Sequence, residues 1–157
     1  MAYAVNLVAL PEQAIASIRE RGPLSAMAAR VHRLRAALAG AGVQATGPLM
    51  ARYFGQRSAD GDMDFEVAVP ILPGPDGSVP DRIGAAHGDL IPAHHAFVTE
   101  HRGPHDGLNM GYTSLMEELN AVGYAVAGPA TEVYWTGPDA SDDPAQYATE
   151  LRIPIAR

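Results

Sequence analysis

The chain contains no cysteine and no lysine, and only ten phenylalanine, tyrosine and tryptophan residues. Without cysteine there is neither a disulfide framework nor thiolate chemistry. Without lysine, Schiff-base catalysis and the lysine of a phosphate loop are both excluded. No apolar run reaches the length of about eighteen residues that a membrane-spanning helix needs, so no membrane association is expected. The opening stretch MAYAVNLVALPEQ lacks the basic segment, apolar core and small-residue cleavage site of a secretory signal, which makes the cytoplasm the expected location. Positive charge is scarce too: eleven arginines face eighteen carboxylates, for a net charge of −7. The arginines are scattered, so the chain by itself would repel a phosphate backbone, and direct nucleic-acid binding is not expected. A weakly anionic body favours neutral or cationic ligands.

What is present is a soluble composition, 47% hydrophobic and 18% charged over 157 residues, which suits one compact domain spanning 1–157. Set against itself at an offset of 81, the sequence aligns residues 11 to 54 with 92 to 135 without a gap and with ten identities over 44 positions. Unrelated segments would give about three. The identities fall on structural punctuation: Arg21-Gly22-Pro23 on Arg102-Gly103-Pro104, Leu34 and Leu38 on Leu115 and Leu119, Gly42 on Gly123, Gly47-Pro48 on Gly128-Pro129, and Tyr53 on Tyr134. After a three-residue slip, FEVAVPI (65–71) answers TELRIPI (149–155), which pairs Glu66 with Glu150. The chain is therefore read as a tandem repeat, with one copy at about 1–72, a Gly- and Pro-rich crossing loop at about 72–88 and a second copy at about 88–157.

Each copy predicts strand, helix, strand, strand. QAIASIRERGP and HHAFVTEHRGP read as strands that stop at Gly-Pro. A helical stripe follows in each, Met27, Val31, Leu34 and Leu38 in the first and Leu108, Tyr112, Leu115, Leu119 and Val122 in the second. Ser25 and Asp106 suit the N-caps, and Gly42 and Gly123 the left-handed C-caps. Strands at about 48–55, 64–71, 129–136 and 148–155 complete the copies. The expected fold is α+β: a duplicated unit whose antiparallel sheets meet with pseudo-twofold symmetry around a ligand cleft, helices on the far face.

Alternation in DFEVAVPI puts Phe65, Val67, Val69 and Ile71 toward the helix and Glu66 opposite; the second copy sends Leu151, Ile153 and Ile155 to the helix and Glu150 and Arg152 away. Glu66 and Glu150 are then equivalent carboxylates on the groove floor, or, in the alternative, two acids on a solvated sheet face. Tyr53, Phe54, Tyr134 and Trp135 occupy corresponding positions, with Phe97, Tyr112 and Tyr147 nearby; Tyr112 and Phe54 are assigned to core. A carboxylate ringed by aromatics suits a flat cationic ligand, each ring adding roughly 0.5 to 2 kcal/mol. Desolvation there would also raise the acid's pKa and let it move a proton. The loop GPDASDDPAQY (137–147) is placed at the groove's rim.

The double RGP, the L-x-x-L helices ending in Gly, GP-x-x-E-V-Y, the acidic loop with DDP and the closing TELRIPI together resemble the GyrI-like, or AraC/MerR-type effector-binding, domain over nearly the whole chain. The resemblance implies a two-repeat cleft for hydrophobic, often cationic small molecules, with Glu150 at its floor through the TEL match and Glu132 and Tyr134 near the site through E-V-Y. It further implies a stand-alone member, since the chain begins directly with its first strand, acting as a sensor or a sequestering or drug-resistance protein. A separate transcription regulator or a second copy of the chain is then a partner to consider. Some members hydrolyse cyclopropane-bearing toxins, so the alternative activity is a hydrolase using Glu150. The chain has GPL and GPH where the family often has GPY, so a tyrosine common there is missing.

Five of six histidines fall within nineteen residues, from His87 to His105. His94 and His95 would point to opposite strand faces and no H-x-x-x-H helix accompanies them, so neither a metal nor another cofactor is expected. The related SOUL-type haem proteins share the fold class, which makes His95 a candidate ligand-contacting or axial residue, although nothing in the sequence demands haem. The expected binding residues are Glu150, Trp135, Tyr134, Glu132, Tyr147, Tyr53, Glu66, Phe97 and His95.

Overall fold

The computed structural model describes residues 3–55, 58–136 and 142–156. Along it run β1 (Asn6–Leu10), β2 (Gln13–Gly22), α1 (Met27–Ala41), β3 (Met50–Phe54), β4 (Met63–Pro70), β5 (Arg82–Ile83), β6 (Ala86–Ile91), β7 (His94–Arg102), α2 (Leu108–Val122), β8 (Ala125–Val126), β9 (Ala130–Thr136) and β10 (Ala148–Ala156). The chain divides into two compact units, Pro11–Ala93 and Met1–Leu10 with His94–Arg157. All strand pairing within each unit is antiparallel. Among the described residues no helix is long and apolar enough to cross a membrane.

In the Pro11–Ala93 unit the strands lie in the order β3-β4-β2-β6-β5. Phe65, Val67, Val69 and Ile71 pack with Leu34, Ala37 and Leu38 of α1 and with Ala14, Ala16 and Ile18 of β2, so the alternation in β4 places the core as expected. The opposite face is not bare: Ile15, Ser17, Met50, Glu66 and Ala68 are all buried on it. In the other unit the order is β1-β7-β10-β9, with β8 also pairing β10. Its core joins Phe97, Leu151 and Ile153 to Leu108, Leu115 and Leu119 of α2, with Tyr112 and Ile155 against it. Val122, expected on that stripe, is 45% exposed.

The pairing registers reproduce the duplication residue by residue. Glu66 stands between Arg19 on β2 and Arg52 on β3. Glu150 stands between Glu100 on β7 and Val133 on β9, at the positions that the offset makes equivalent. Gly42 and Gly123 close the helices at φ 68° and 77°, in the left-handed region that costs a residue without a Cβ nothing.

Two expectations are corrected. Ser25 and Asp106 do not cap: each lies inside a 3-10 turn, Leu24–Ala26 or His105–Gly107, and the caps are Ala26 and Gly107 without a side-chain bond. The Gly-Pro dipeptide is followed by this tight turn rather than by the helix itself, moving each helix start one residue on. The crossing loop is also only partly a loop, since β5 and the start of β6 fall within 72–88. β6 pairs β2, whereas β1, which the offset makes its counterpart, pairs β7. Each copy's leading strand thus completes the sheet of the other copy.

Candidate small-molecule site

β9 alternates from Thr131 to Tyr134 and is bulged at Trp135, where the register against β10 shifts between Ala148 and Thr149, and this register decides what each side chain meets. Glu132 opposes Leu151 and Tyr134 opposes Thr149, so both share the face on which Leu151 packs with α2. Val133 opposes Glu150 and belongs to the other face.

On the helix side, Glu132 is 7% exposed. Its two oxygens accept two phenols: Tyr112 of α2 donates to Oε2 at 2.7 Å and Tyr134 to Oε1 at 2.6 Å. Tyr112 thus packs against the core, as expected, and carries its hydroxyl to the acid. Beside Tyr134 stands His105, with ring centroids 5.5 Å apart, and Tyr147 lies 5.0 Å from His105 on another side. Burial pushes the His105 imidazole below the ordinary histidine range; the Glu132 charge acts against this and His101 with it. His105 Nε2 and Thr149 Oγ1 are buried without a hydrogen-bond partner. His101 is fixed: its Nε2 donates to the Pro104 carbonyl and its Nδ1 meets the Tyr3 hydroxyl, both at 2.8 Å. Gly107 is what admits this turn, since a Cβ there would stand 2.8 Å from His101 Cε1.

The first copy serves as an internal control. At the positions equivalent to Glu132, Tyr112, His105 and Thr149 it has Ala51, Val31, Leu24 and Phe65. Ala51 and Phe65 are fully buried, and Phe65, Val31 and Leu24 belong to the apolar cluster under α1. One fold therefore supports hydrocarbon at these places, and only one copy replaces it with an acid, a phenol, an imidazole and a hydroxyl. Buried polar groups in a position where apolar ones suffice mark function more often than stability.

The remaining expected residues are dispersed. Glu150 is half-buried and ion-paired with Arg152 at 2.5 Å, on the face away from Glu132. Trp135 is 56% exposed, at the bulge of β9. Phe97 lies in the core, stacked on Tyr124 at 5.8 Å, and His95 is exposed near the start of β7. In the other unit Glu66, 5% exposed, is ion-paired with Arg52 at 2.8 Å. Tyr53 packs into the apolar cluster, 6.2 Å from Phe65. Phe54, assigned to core, instead lies under the Arg19 guanidinium at 3.6 Å, because alternation turns it from the α1 side. Sequence reasoning missed His105 and Thr149, although both could have been found by asking where the second copy is polar and the first is not. Of the rim loop, 137–141 lie outside the described residues; beyond them a 3-10 turn, Pro144–Gln146, is capped by Asp143 and leads to Tyr147. Among the described residues no group of three or more His, Cys, Asp or Glu is placed to hold a metal ion.

A duplicated α+β unit, in which one copy exchanges core hydrocarbon for a buried acid with aromatic neighbours, defines a small-molecule-binding protein. The chain belongs to the family of GyrI-like small molecule binding domains, which it matches over residues 3–156. Among solved structures, the C-terminal domain of EcmrR aligns with a TM-score of 0.87 at 24% identity, covering 100% of this chain and 99% of that one. In the EcmrR–DNA complex the alignment again covers 100% of this chain, with a TM-score of 0.86 and 24% identity, but this chain spans only 59% of that one. A hydrolase from Listeria innocua aligns with a TM-score of 0.67 at 13% identity, covering 99% of this chain and 93% of that one. SAV2435 bound to tetraphenylphosphonium aligns with a TM-score of 0.65 at 16% identity, covering 99% and 94%. These likenesses establish the fold. No curated protein matches the sequence.

Proposed function

We propose that the chain binds a hydrophobic, cationic small molecule on the helix side of β9, with Glu132 as its counter-charge and Tyr112, Tyr134 and Tyr147 as its aromatic surroundings. The observation that carries this reading is the Glu132 carboxylate, buried and held by two phenols where the other copy has Ala51. Two O–H donors keep the acid oriented. Ring faces beside a desolvated charge favour a cation with apolar surface. SAV2435, a structural neighbour, was solved with a ligand of this chemistry, tetraphenylphosphonium. The net charge of −7 favours approach of a cation. The binding protein would act as a sensor or a sequestering protein in the cytoplasm, passing its occupancy to a separate regulator where it senses.

Hydrolysis through Glu150 is less well supported, because Arg152 holds that carboxylate in an ion pair. The test is calorimetric titration with tetraphenylphosphonium. Glu132→Gln should weaken binding by about tenfold or more, as expected for loss of a charged contact worth roughly 1.5–3 kcal/mol. Glu150→Gln should leave binding nearly unchanged. Binding that survives Glu132→Gln and is lost in Glu150→Gln would move the site to the other face of the sheet.

A further inference from the structure

We propose that His105 couples ligand binding to protonation: its neutral imidazole belongs to the cation-accepting state of the Glu132 cluster, and a proton on it competes with a cationic ligand for the Glu132 charge. The inference rests on the functional reading above and adds a regulator to that site.

The geometry comes first. The turn His105–Gly107 sets the imidazole beside Tyr134, whose hydroxyl donates to Glu132, and against Tyr147. Among the described residues, the two buried side-chain polar atoms without a hydrogen-bond partner are His105 Nε2 and Thr149 Oγ1. Thr149 stands directly opposite Tyr134 in the sheet, so both flank one tyrosine of the acid's shell. Nothing in the fold requires polar groups there, since Leu24 and Phe65 fill the equivalent positions of the first copy with hydrocarbon.

The sign follows from the groups that face His105. Glu132 and Tyr134 come from β9, His101 from β7, Tyr147 from the segment before β10, and Tyr112 reaches the same acid from α2; Asp106 is its neighbour in the turn. Burial holds the imidazole neutral, Glu132 favours its proton and His101 opposes it. His101 is itself engaged by Tyr3 and Pro104. At neutral pH His105 is uncharged and does not compete with a cationic ligand for the Glu132 charge. As the pH falls through the depressed His105 value, an imidazolium forms whose attraction to Glu132 takes the place a cation would use. By linkage the effect is reciprocal: a bound cation lowers the proton affinity of His105 by the same factor as the proton weakens the cation.

The probe is tetraphenylphosphonium, which has no titrating group. Calorimetry should give a Kd that is flat from pH 8.5 to 7 and weakens about fivefold by pH 5, the lower end of typical couplings. His105→Gln should flatten that profile, whatever its affinity at pH 7.5. In the unmodified protein, the NMR titration midpoint of the His105 ring proton should move to lower pH when the probe is saturating. An equal loss of affinity at pH 5 in His105→Gln, or a midpoint that the probe leaves in place, overturns the coupling and leaves the binding function standing. No binding at any pH overturns the functional reading and the coupling together.

Discussion

Arg30 and Glu132 are both buried charges, and they differ in what surrounds them. Arg30, 3% exposed, donates from Nη1 to the carbonyls of Phe65 and Glu20 at 2.6 and 2.9 Å and lies 3.8 Å over the Phe65 ring. Burial lowers its pKa, and the Glu20 carboxylate, 3.7 Å away, acts in the other direction. The guanidinium therefore ties α1 to β2 and β4, and its removal would leave two carbonyls without a donor and a void over Phe65. Arg30→Ala should cost about 2–4 kcal/mol in urea unfolding, combining lost hydrogen bonds to a charged group with lost packing. A cost below about 1 kcal/mol would show that water replaces the guanidinium. Glu132 accepts from two phenols, Tyr112 and Tyr134. At this scale the sequence was half legible. E-V-Y pointed to Glu132 and Tyr134, and alternation placed Glu66 and Glu150 correctly away from the helices. It could not show that Arg52 and Arg152 engage those two acids, because an ion pair depends on rotamers that a spacing does not encode.

The elements were more legible than the residues, for a physical reason. Helix stripes and strand alternation are dictated by where apolar atoms must go, and Gly42 and Gly123 by a backbone angle that other residues resist. The N-caps failed because a 3-10 turn, competing for the same four residues, starts the chain's rotation early. β1 escaped notice because its partner β7 lies far along the sequence and its own pattern is mixed, with Leu7 half exposed. Its role is nonetheless tied to the site, since the segment before it bonds Thr99 through the Ala4 carbonyl at 2.7 Å and supplies the Tyr3 hydroxyl to His101. Deleting residues 1–10 should bare the edge of β7, release His101 and lower the Tm by at least about 5 °C, roughly 1–2 kcal/mol for a chain of this size. Circular dichroism melts check this, and an unchanged Tm would mean that β1 adds nothing to the sheet it completes.

At the scale of the whole molecule, duplication has let two copies of one unit diverge in purpose. The Pro11–Ala93 unit has the apolar Leu24, Val31, Ala51 and Phe65 where the other unit has His105, Tyr112, Glu132 and Thr149. Under the proposed function, stability and binding make opposite demands on these equivalent positions. Thr149→Val removes a fully buried hydroxyl that has no partner, keeps the shape of the side chain, and should raise stability by about 1 kcal/mol. Phe65→Thr, the same exchange made in reverse at the equivalent position, opens a cavity in a closed core and should cost about 3–5 kcal/mol. Urea unfolding of the two variants separates specialisation from drift: if Thr149→Val destabilised the protein as well, the hydroxyl would have to be a structural group, and the second copy would be polar for the sake of its own fold rather than for a ligand.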